Sequence, residues 1–222
     1  MRYTLLTMSA LSKSGRFYTP VEHRADAVVH VLGVLFAINA SLWLLANVGG
    51  LDVMVSVSVY CVGLLAMTGF SAAYNLVAHH RPSKQVLRRL DHAAIFIMIA
   101  ATYTPFAVNR LSQPAGDLIL AAIWLTATFG VTMKLLFPRR FEMFSIALYL
   151  AMGWMVVTVI EPLAASMAAI DFWLLIAGGL VYSAGVIFYV LDRIPFHKAI
   201  WHGFVLVAAV LQFSAIAAEF VH

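Results

Sequence analysis

Histidine and acidic side chains recur at a few places in this chain, where they could bind a metal ion or transfer protons. The sequence contains 8 histidines among 222 residues, and imidazole nitrogens and carboxylate oxygens are both ligands of Zn²⁺ in proteins. A catalytic zinc uses three such ligands and activates a water at its fourth position. Histidines that only hydrogen-bond to lipid headgroups and loop carbonyls would look the same, so the elements that carry them matter.

The composition indicates an integral membrane protein. Apolar residues make up 63% of the chain and charged residues 11%, and the mean hydropathy is +0.93. A soluble domain has roughly 45–50% apolar and about 25% charged residues. Apolar runs of about 20 residues, the length that a helix needs to cross a bilayer, recur along the chain. The alternating pattern of barrel strands does not occur, so we expect an all-α membrane protein.

Seven helical spans are predicted, with short connections between them. The spans are 26–48, 53–78, 92–109, 117–137, 142–161, 168–191 and 199–221. Residues 1–25 lack a long apolar core, so we expect a retained cytoplasmic tail followed by one transmembrane domain over residues 26–222. The single cysteine, Cys61, lies in an apolar run, which excludes an intrachain disulfide and a cysteine metal cluster.

The basic residues predict the orientation. Of the 14 Lys and Arg residues, four lie in the tail, four in residues 79–92, three at the end of span 4 or between spans 4 and 5, and two between spans 6 and 7; only Arg110 falls on the other side. Short loops rich in Lys and Arg stay in the cytoplasm. We therefore expect a cytoplasmic amino terminus and a periplasmic or extracellular carboxyl terminus. Anionic headgroups account for the positive charge, and nucleic-acid binding is not indicated.

Seven histidines are expected near the cytoplasmic ends of spans 1, 2, 3 and 7. Burying a polar group in the membrane costs free energy unless the group is paired. A cluster of such groups at one depth therefore indicates a functional site. A zinc site and a set of headgroup-facing histidines both remain open at this point. The histidines concerned are His23, His30, His79, His80, His92, His197 and His202.

Four stretches carry a family signature. They are RRLDH at 88–92 followed by ATYTP at 101–105, the E...(N/D)...H pattern from Glu22 through Asp26 to His30, LYLAMGW at 148–154, and residues 178–206. They resemble the hemolysin III family, the bacterial branch of the progestin and adipoQ receptors, which is related to alkaline ceramidases. The resemblance implies a seven-helix bundle in a bacterial inner (plasma) membrane, with a cytoplasmic amino terminus and a role in cytolysis or membrane-lipid homeostasis.

The resemblance also implies an intramembrane zinc near the cytoplasmic face. In the family pattern its ligands are a histidine four residues after the serine that here is Ser71, the aspartate that opens span 3, and a His-x-x-x-His pair that opens span 7. Eukaryotic relatives are reported or proposed to hydrolyse the amide of ceramides with such a zinc.

This chain departs from the family pattern at its metal ligands. Asn75 replaces the histidine of span 2, Lys198 replaces the first histidine of span 7, and Gln212 replaces a deeper histidine. Only Asp91 and His202 keep the pattern. Carboxamides bind zinc poorly, and a protonated ammonium group cannot bind it.

One hypothesis retains the zinc by substitution. His79 lies one helical turn beyond Asn75 on the same face and could join Asp91 and His202. This set would require the helix to shift by about 5.4 Å. His197 is a poorer substitute, because it is rotated by about 100° from position 198.

The other hypothesis, which the sequence favours, has no bound metal. The Lys198 ammonium would then pair with Asp91, since an unpaired carboxylate near hydrocarbon is costly. Asn75 and His202 would complete this network by hydrogen bonds. Under this hypothesis purified protein contains no stoichiometric zinc, and Asn75→His combined with Lys198→His restores zinc uptake.

Further polar residues are assigned supporting roles. Glu22 and Asp26 either cap the first helix and neutralise Arg24 or support the site beside His30. Tyr103 could donate a hydrogen bond to a substrate oxygen or to a neighbouring helix. The remaining supporting candidates are Ser71, His92, His197 and Gln212.

These observations predict a lipid-binding membrane protein. We expect membrane lipid to enter a cavity among the spans that opens to the cytoplasmic side, and the protein to act in lipid homeostasis or membrane permeabilisation without hydrolysis. The alternative is a zinc-dependent intramembrane amidohydrolase of ceramide-like lipids. No oligomeric state is assigned.

Overall fold

The computed structural model describes residues 18–77, 81–137 and 140–221, and it is helical over nearly all of them. Within these ranges, seven helical segments are long and apolar enough to cross a membrane, as predicted; which side of the membrane each terminus faces stays a prediction. The elements are α1 (Pro20–Asn47), α2 (Leu51–Leu76), α3 (Ser83–Asn109), α4 (Ala115–Leu136), α5 (Glu142–Gly153), a 3₁₀ segment (Trp154–Val159), α6 (Ile160–Ser166), α7 (Ala169–Val190) and α8 (His197–Phe220). The fifth span consists of α5, the 3₁₀ segment and α6.

The third helix begins nine residues earlier than the start predicted at residue 92. Hydropathy finds the first apolar residue, but long basic side chains can extend a helix beyond the hydrocarbon while their apolar stems stay on its surface. Arg88 pairs with Glu142 of α5 at 2.5 Å, and Lys84 Nζ donates to the carbonyl oxygen of Val77 at 2.9 Å. The basic turn of α3 therefore ties together this end of the bundle.

The break in the fifth span is held by Tyr103 of α3. Its hydroxyl lies 2.9 Å from the carbonyl oxygens of both Met152 and Gly153 and accepts the backbone N–H of Val156 at 2.7 Å. Backbone groups within a membrane must be satisfied by the protein itself, and a 3₁₀ segment leaves some of them without an α-helical partner. Of the two predicted uses of Tyr103, the structure forms the bond to a neighbouring helix.

Small residues set the helix spacing around the ring. α1 packs against α2 and α8, α3 packs against α2, α4 and α5, and α7 packs against α8. A Cβ at Gly63 would lie 2.6 Å from Ala101 Cβ, and a Cβ at Gly185 would lie 2.7 Å from Phe204 Cβ. Close approach of this kind stabilises helix pairs in lipid, where apolar burial between helices gains little.

Candidate functional site

A cavity of about 610 Å³ lies inside the bundle. Helix α3 lines it from Arg88 to Ala107, a distance of about 28 Å at 1.5 Å per residue. The cavity therefore runs along most of the roughly 30 Å hydrocarbon core, and its volume lies in the range of about 300–1,000 Å³ typical of ligand pockets. Most of its wall is apolar. The charged and imidazole groups gather at one end, called here the polar end, which is lined by His30, Ser71, Asn75, Asp91, Lys198 and His202.

One face of α1 points into the bundle along its whole length. Apart from the adjacent pair Ala40 and Ser41, its buried residues recur every three or four positions, as expected for one side of a helix. The first three positions of this face are acidic or imidazole side chains, and the later ones are small or apolar apart from Ser41. The buried residues are Glu22, Asp26, His30, Gly33, Ala37, Ala40, Ser41 and Leu44.

Glu22 fixes the start of α8 relative to α1. Its carboxylate accepts the backbone N–H of Thr19 at 2.9 Å, and its own N–H donates to Thr19 Oγ1 at 3.2 Å, which forms a capping box. The same carboxylate accepts the N–H of Phe196 at 2.8 Å. Phe196 directly precedes α8 and has a φ of 60°, an uncommon conformation for a residue other than glycine. Glu22 thus stabilises the turn that orients the first residues of α8.

Asp26 and His30 of α1 and His202 of α8 come together as a triad. Asp26 Oδ1 lies 2.6 Å from His202 Nδ1, and Asp26 Oδ2 lies 3.7 Å from His30 Nε2. The two imidazole ring centres are 4.3 Å apart. One ligand atom of each residue lies within 4.8 Å of the others, so the triad could hold a metal ion.

The Nε2 atom of His30 has no hydrogen-bond partner among the described residues, although it is buried. His30 is only 6% exposed, and an unpaired polar atom in such a place costs about 1–3 kcal/mol. A buried imidazole nitrogen without a proton donor or acceptor is chemically suited to metal binding.

The residues at the family's ligand positions line the same cavity but do not form a zinc site. The Asn75 side-chain amide donates to the carbonyl oxygen of Ser71 at 2.9 Å, within its own helix. Asp91 interacts with the Ser71 side chain from α2 and electrostatically with His30. Asn75 and Lys198 supply no metal ligand here, which leaves one carboxylate and one imidazole at these positions.

Lys198 does not occupy the place expected from the sequence. Its ammonium group lies 4.3 Å from the centre of the Tyr18 ring, and no ion pair joins it to Asp91, although both residues are described. Its electrostatic partner is Asp26. The first turn of α8 directs Lys198 toward the end of α1 rather than toward α3, so the predicted pairing is not seen.

The other candidates have separate contacts. His197 is 5% exposed, and its ring contacts the Tyr18 hydroxyl and the carbonyl oxygen of Phe188. His92 accepts a hydrogen bond from Tyr149 through its backbone carbonyl. Gln212 packs against Gly178 of α7. His79, which the zinc-retaining hypothesis required, lies outside the described residues.

Sequence reasoning placed Asp26 and His30 in supporting roles only. Their spacing of four residues puts both on one helix face, and this signal was visible in the sequence. It did not indicate that His202, on the last span, would meet them. The expectation that no metal is bound is not confirmed, because the described residues contain three groups that could hold one.

Comparison with known proteins establishes the family. The family model described as "Haemolysin-III related" matches residues 19–213. "Hemolysin-3 homolog" of Bacillus subtilis (strain 168) is 38% identical over 202 residues, which cover 90% of this chain and 94% of that protein. "Hemolysin-3" of Bacillus cereus is 36% identical over 198 residues, which cover 88% of this chain and 90% of that protein. "Monocyte to macrophage differentiation factor" of Homo sapiens is 29% identical over 209 residues, which cover 91% and 87%.

The resemblance first seen in short motifs therefore extends over nearly the whole chain. Its seven apolar helices are those of a multi-pass membrane protein, and the matched region includes the whole triad and all but the last residues of α8. With both relatives from Bacillus above 35% identity, this chain belongs to the hemolysin III family.

Proposed function

We propose that this protein binds a membrane lipid inside its bundle and acts in membrane-lipid homeostasis. The observation that carries this proposal is the cavity, which is about 28 Å long along α3, apolar over most of its wall and polar at one end. An amphiphile has the same division into an apolar chain and a polar headgroup. With the orientation predicted from the basic residues, the polar end faces the cytoplasmic leaflet.

The polar end of the cavity is suited to a lipid headgroup that carries hydroxyl or amide groups. It presents both signs of charge, with Lys198 and the ion pair of Arg88 and Glu142 on the lining and Asp91 beside them. A strongly anionic or cationic headgroup would meet a like charge here as well as an opposite one. A neutral or zwitterionic lipid is therefore the best match.

Blocking the cavity tests this proposal. Gly179 of α7 lines the cavity, and a Cβ there would meet no atom within 4 Å, so Gly179→Leu places a side chain in the open space. Gly69 of α2 has equally open surroundings but does not line the cavity, which makes Gly69→Leu a matched control. We expect about one lipid per chain to co-purify with the unmodified protein and with Gly69→Leu, and much less with Gly179→Leu, as measured by mass spectrometry of extracted lipids.

Equal lipid content in the two glycine variants would contradict binding in the cavity. In cells, deletion of the gene should change the lipid composition of the membrane, and Gly69→Leu should restore it while Gly179→Leu does not. Membrane permeabilisation is the alternative role, and it predicts dye release from vesicles by the purified protein. Dye release that Gly179→Leu leaves unchanged would favour permeabilisation over lipid handling.

A second candidate function is hydrolysis of a lipid amide. It is favoured by one observation: His30 and His202 both line the polar end, where the headgroup of a bound lipid would lie. A metal ion held there would polarise an amide carbonyl as a Lewis acid. Release of fatty acid from ceramide-like lipids by purified protein would support this activity, and the release should disappear in Gly179→Leu but not in Gly69→Leu.

A further inference from the structure

We propose that Asp26, His30 and His202 bind one divalent transition-metal ion, with zinc the best match, through ligands supplied by α1 and α8. This set shares only His202 with the family pattern, whose ligands come from spans 2, 3 and 7. The inference does not depend on lipid binding, because the metal content can be measured whether or not the cavity holds a lipid.

The donor types fit the ion. Two imidazoles and one carboxylate form a known ligand set of zinc sites that leave a fourth position open. The same set is also used by non-haem iron. Zinc does not require a particular geometry from its d electrons, which makes it tolerant of a site built from only two helices.

The distances from Asp26 to the two histidines need only small adjustments. Two ligands of a tetrahedral zinc with bonds of about 2.0–2.1 Å lie about 3.3 Å apart, and His30 Nε2 lies 3.7 Å from Asp26 Oδ2. The 2.6 Å contact between Asp26 Oδ1 and His202 Nδ1 is a hydrogen bond. A bound ion would replace the proton of this bond, and the two atoms would separate by less than about 1 Å.

The scaffold holds the two helices at both ends. Near the triad, Glu22 of α1 accepts the N–H of Phe196 before α8. At the far end, Val48 and Val221 form an isolated β-bridge. Ligands on helices that are fixed relative to each other lose little freedom when they bind a metal, which favours binding.

Two charged side chains near the triad have opposite effects on its attraction for a cation. Asp91 acts electrostatically on His30 from α3 and adds a second negative charge near the triad. Lys198 acts on Asp26 and weakens the attraction for a cation. Besides the spacing of the three side chains, the buried Nε2 of His30 favours a bound metal ion, because this atom has no hydrogen-bond partner among the described residues.

Metal analysis of the full chain tests the inference. Protein purified in detergent without chelators, loaded with zinc and freed of excess metal, should contain about one zinc per chain. Asp26→Asn keeps the shape of the side chain but removes its charge, and His30→Gln removes one ligand. We expect the zinc affinity of both variants to be lower by a factor of about ten or more. His23→Gln is the matched control, since His23 is an exposed histidine on the same helix, and should keep its zinc.

Asp91→Asn separates this site from the family pattern. We expect it to keep close to one zinc per chain, whereas a site at the family positions would lose its metal. Zinc that is lost in Asp91→Asn but kept in Asp26→Asn and His30→Gln would overturn the inference, as would an unmodified protein that takes up neither zinc nor iron nor cobalt.

A second measurement tests the inference even if the variants fail to fold. X-ray absorption of the zinc-loaded unmodified protein should report two imidazoles and one carboxylate, and it needs no substitution. One imidazole in place of two would contradict the triad. In folded His30→Gln, identified by an unchanged helical circular-dichroism spectrum, the visible absorption of bound cobalt should be lost.

Discussion

The two ends of α8 contact buried carboxylates in opposite electrostatic settings. Near the last turn of α8, Glu219 is 5% exposed and its Oε1 lies 2.5 Å from Arg110 Nε. Near the first turns, His202 meets Asp26, which is 8% exposed. A guanidinium group is always charged, whereas an imidazole is charged only when it is protonated. Glu219 is therefore in direct contact with a permanent cation, whereas the direct contacts of Asp26 are with two imidazoles.

This difference separates a structural cluster from a candidate site. At the Glu219 end, Asp171 of α7 interacts with Glu219, so a second acidic side chain lies beside the pair of Glu219 and Arg110. Arg110 also donates to the backbone carbonyl of Glu219 at 3.0 Å. Glu219 thus has a cation supplied by the chain itself at this end. At the Asp26 end, an ion from outside could take the role that Arg110 has at the other.

Removal of Arg110 should have the largest effect on stability. Arg110→Met leaves Glu219 buried without its cation, so we expect the free energy of unfolding to fall by about 3 kcal/mol, the lower end for a broken buried pair because 30% of the Arg110 side chain is exposed. Unfolding in mixed detergent and sodium dodecyl sulfate micelles measures it. Arg24→Met, at an exposed position, should change stability little. A loss in Arg110→Met no larger than in this control would remove the structural role of the Glu219 cluster.

Bound zinc should stabilise the folded protein through the triad and not through the Glu219 end. At a free concentration one hundred times its dissociation constant, a ligand that binds only the folded state adds about 2.7 kcal/mol. We expect this gain in the unmodified protein and in Arg110→Met, and no gain in His30→Gln, when thermal unfolding is compared with and without zinc. A gain that persists in His30→Gln would mean that zinc binds elsewhere.

Replacement of Glu22 should lower both the stability of the protein and its affinity for zinc. Glu22→Ala removes the capping box and the acceptor for Phe196 N–H, so we expect a loss of about 1–2 kcal/mol together with weaker zinc binding, because the start of α8 is no longer fixed. Glu161→Ala at an exposed position serves as the control for both readouts. Unchanged zinc affinity in folded Glu22→Ala would show that the turn before α8 does not position His202.

Replacement of Lys198 should have the smallest effect. Lys198→Met removes the contact with the Tyr18 ring, which is worth about 0.5–1 kcal/mol, and should raise zinc affinity a few-fold because a nearby positive charge is gone. Calorimetric zinc titration and thermal unfolding measure the two effects. A loss of several kcal/mol would instead indicate that Lys198 neutralises a buried carboxylate, as the sequence-based hypothesis proposed for Asp91.

The sequence predicted the spans better than the contacts between them. Apolar runs and basic loops predicted seven helices, since length and hydropathy are local properties. The pairing of Asp26 with His202 depends on how α1 and α8 are rotated about their axes, and that rotation is set by packing along the buried face of α1. Likewise, the early start of α3 depends on Arg88 and Lys84 finding partners on α5 and α2, which no local pattern reveals.

The separation of Asp26 and His202 along the chain has a consequence for biosynthesis. The two residues are 176 positions apart, on the first and the seventh of the membrane segments described above. A nascent chain that has inserted six segments contains Asp26 and His30 but lacks their partner. The triad therefore forms only after the seventh of these segments has been made, and a product terminated before that segment would be unable to form it.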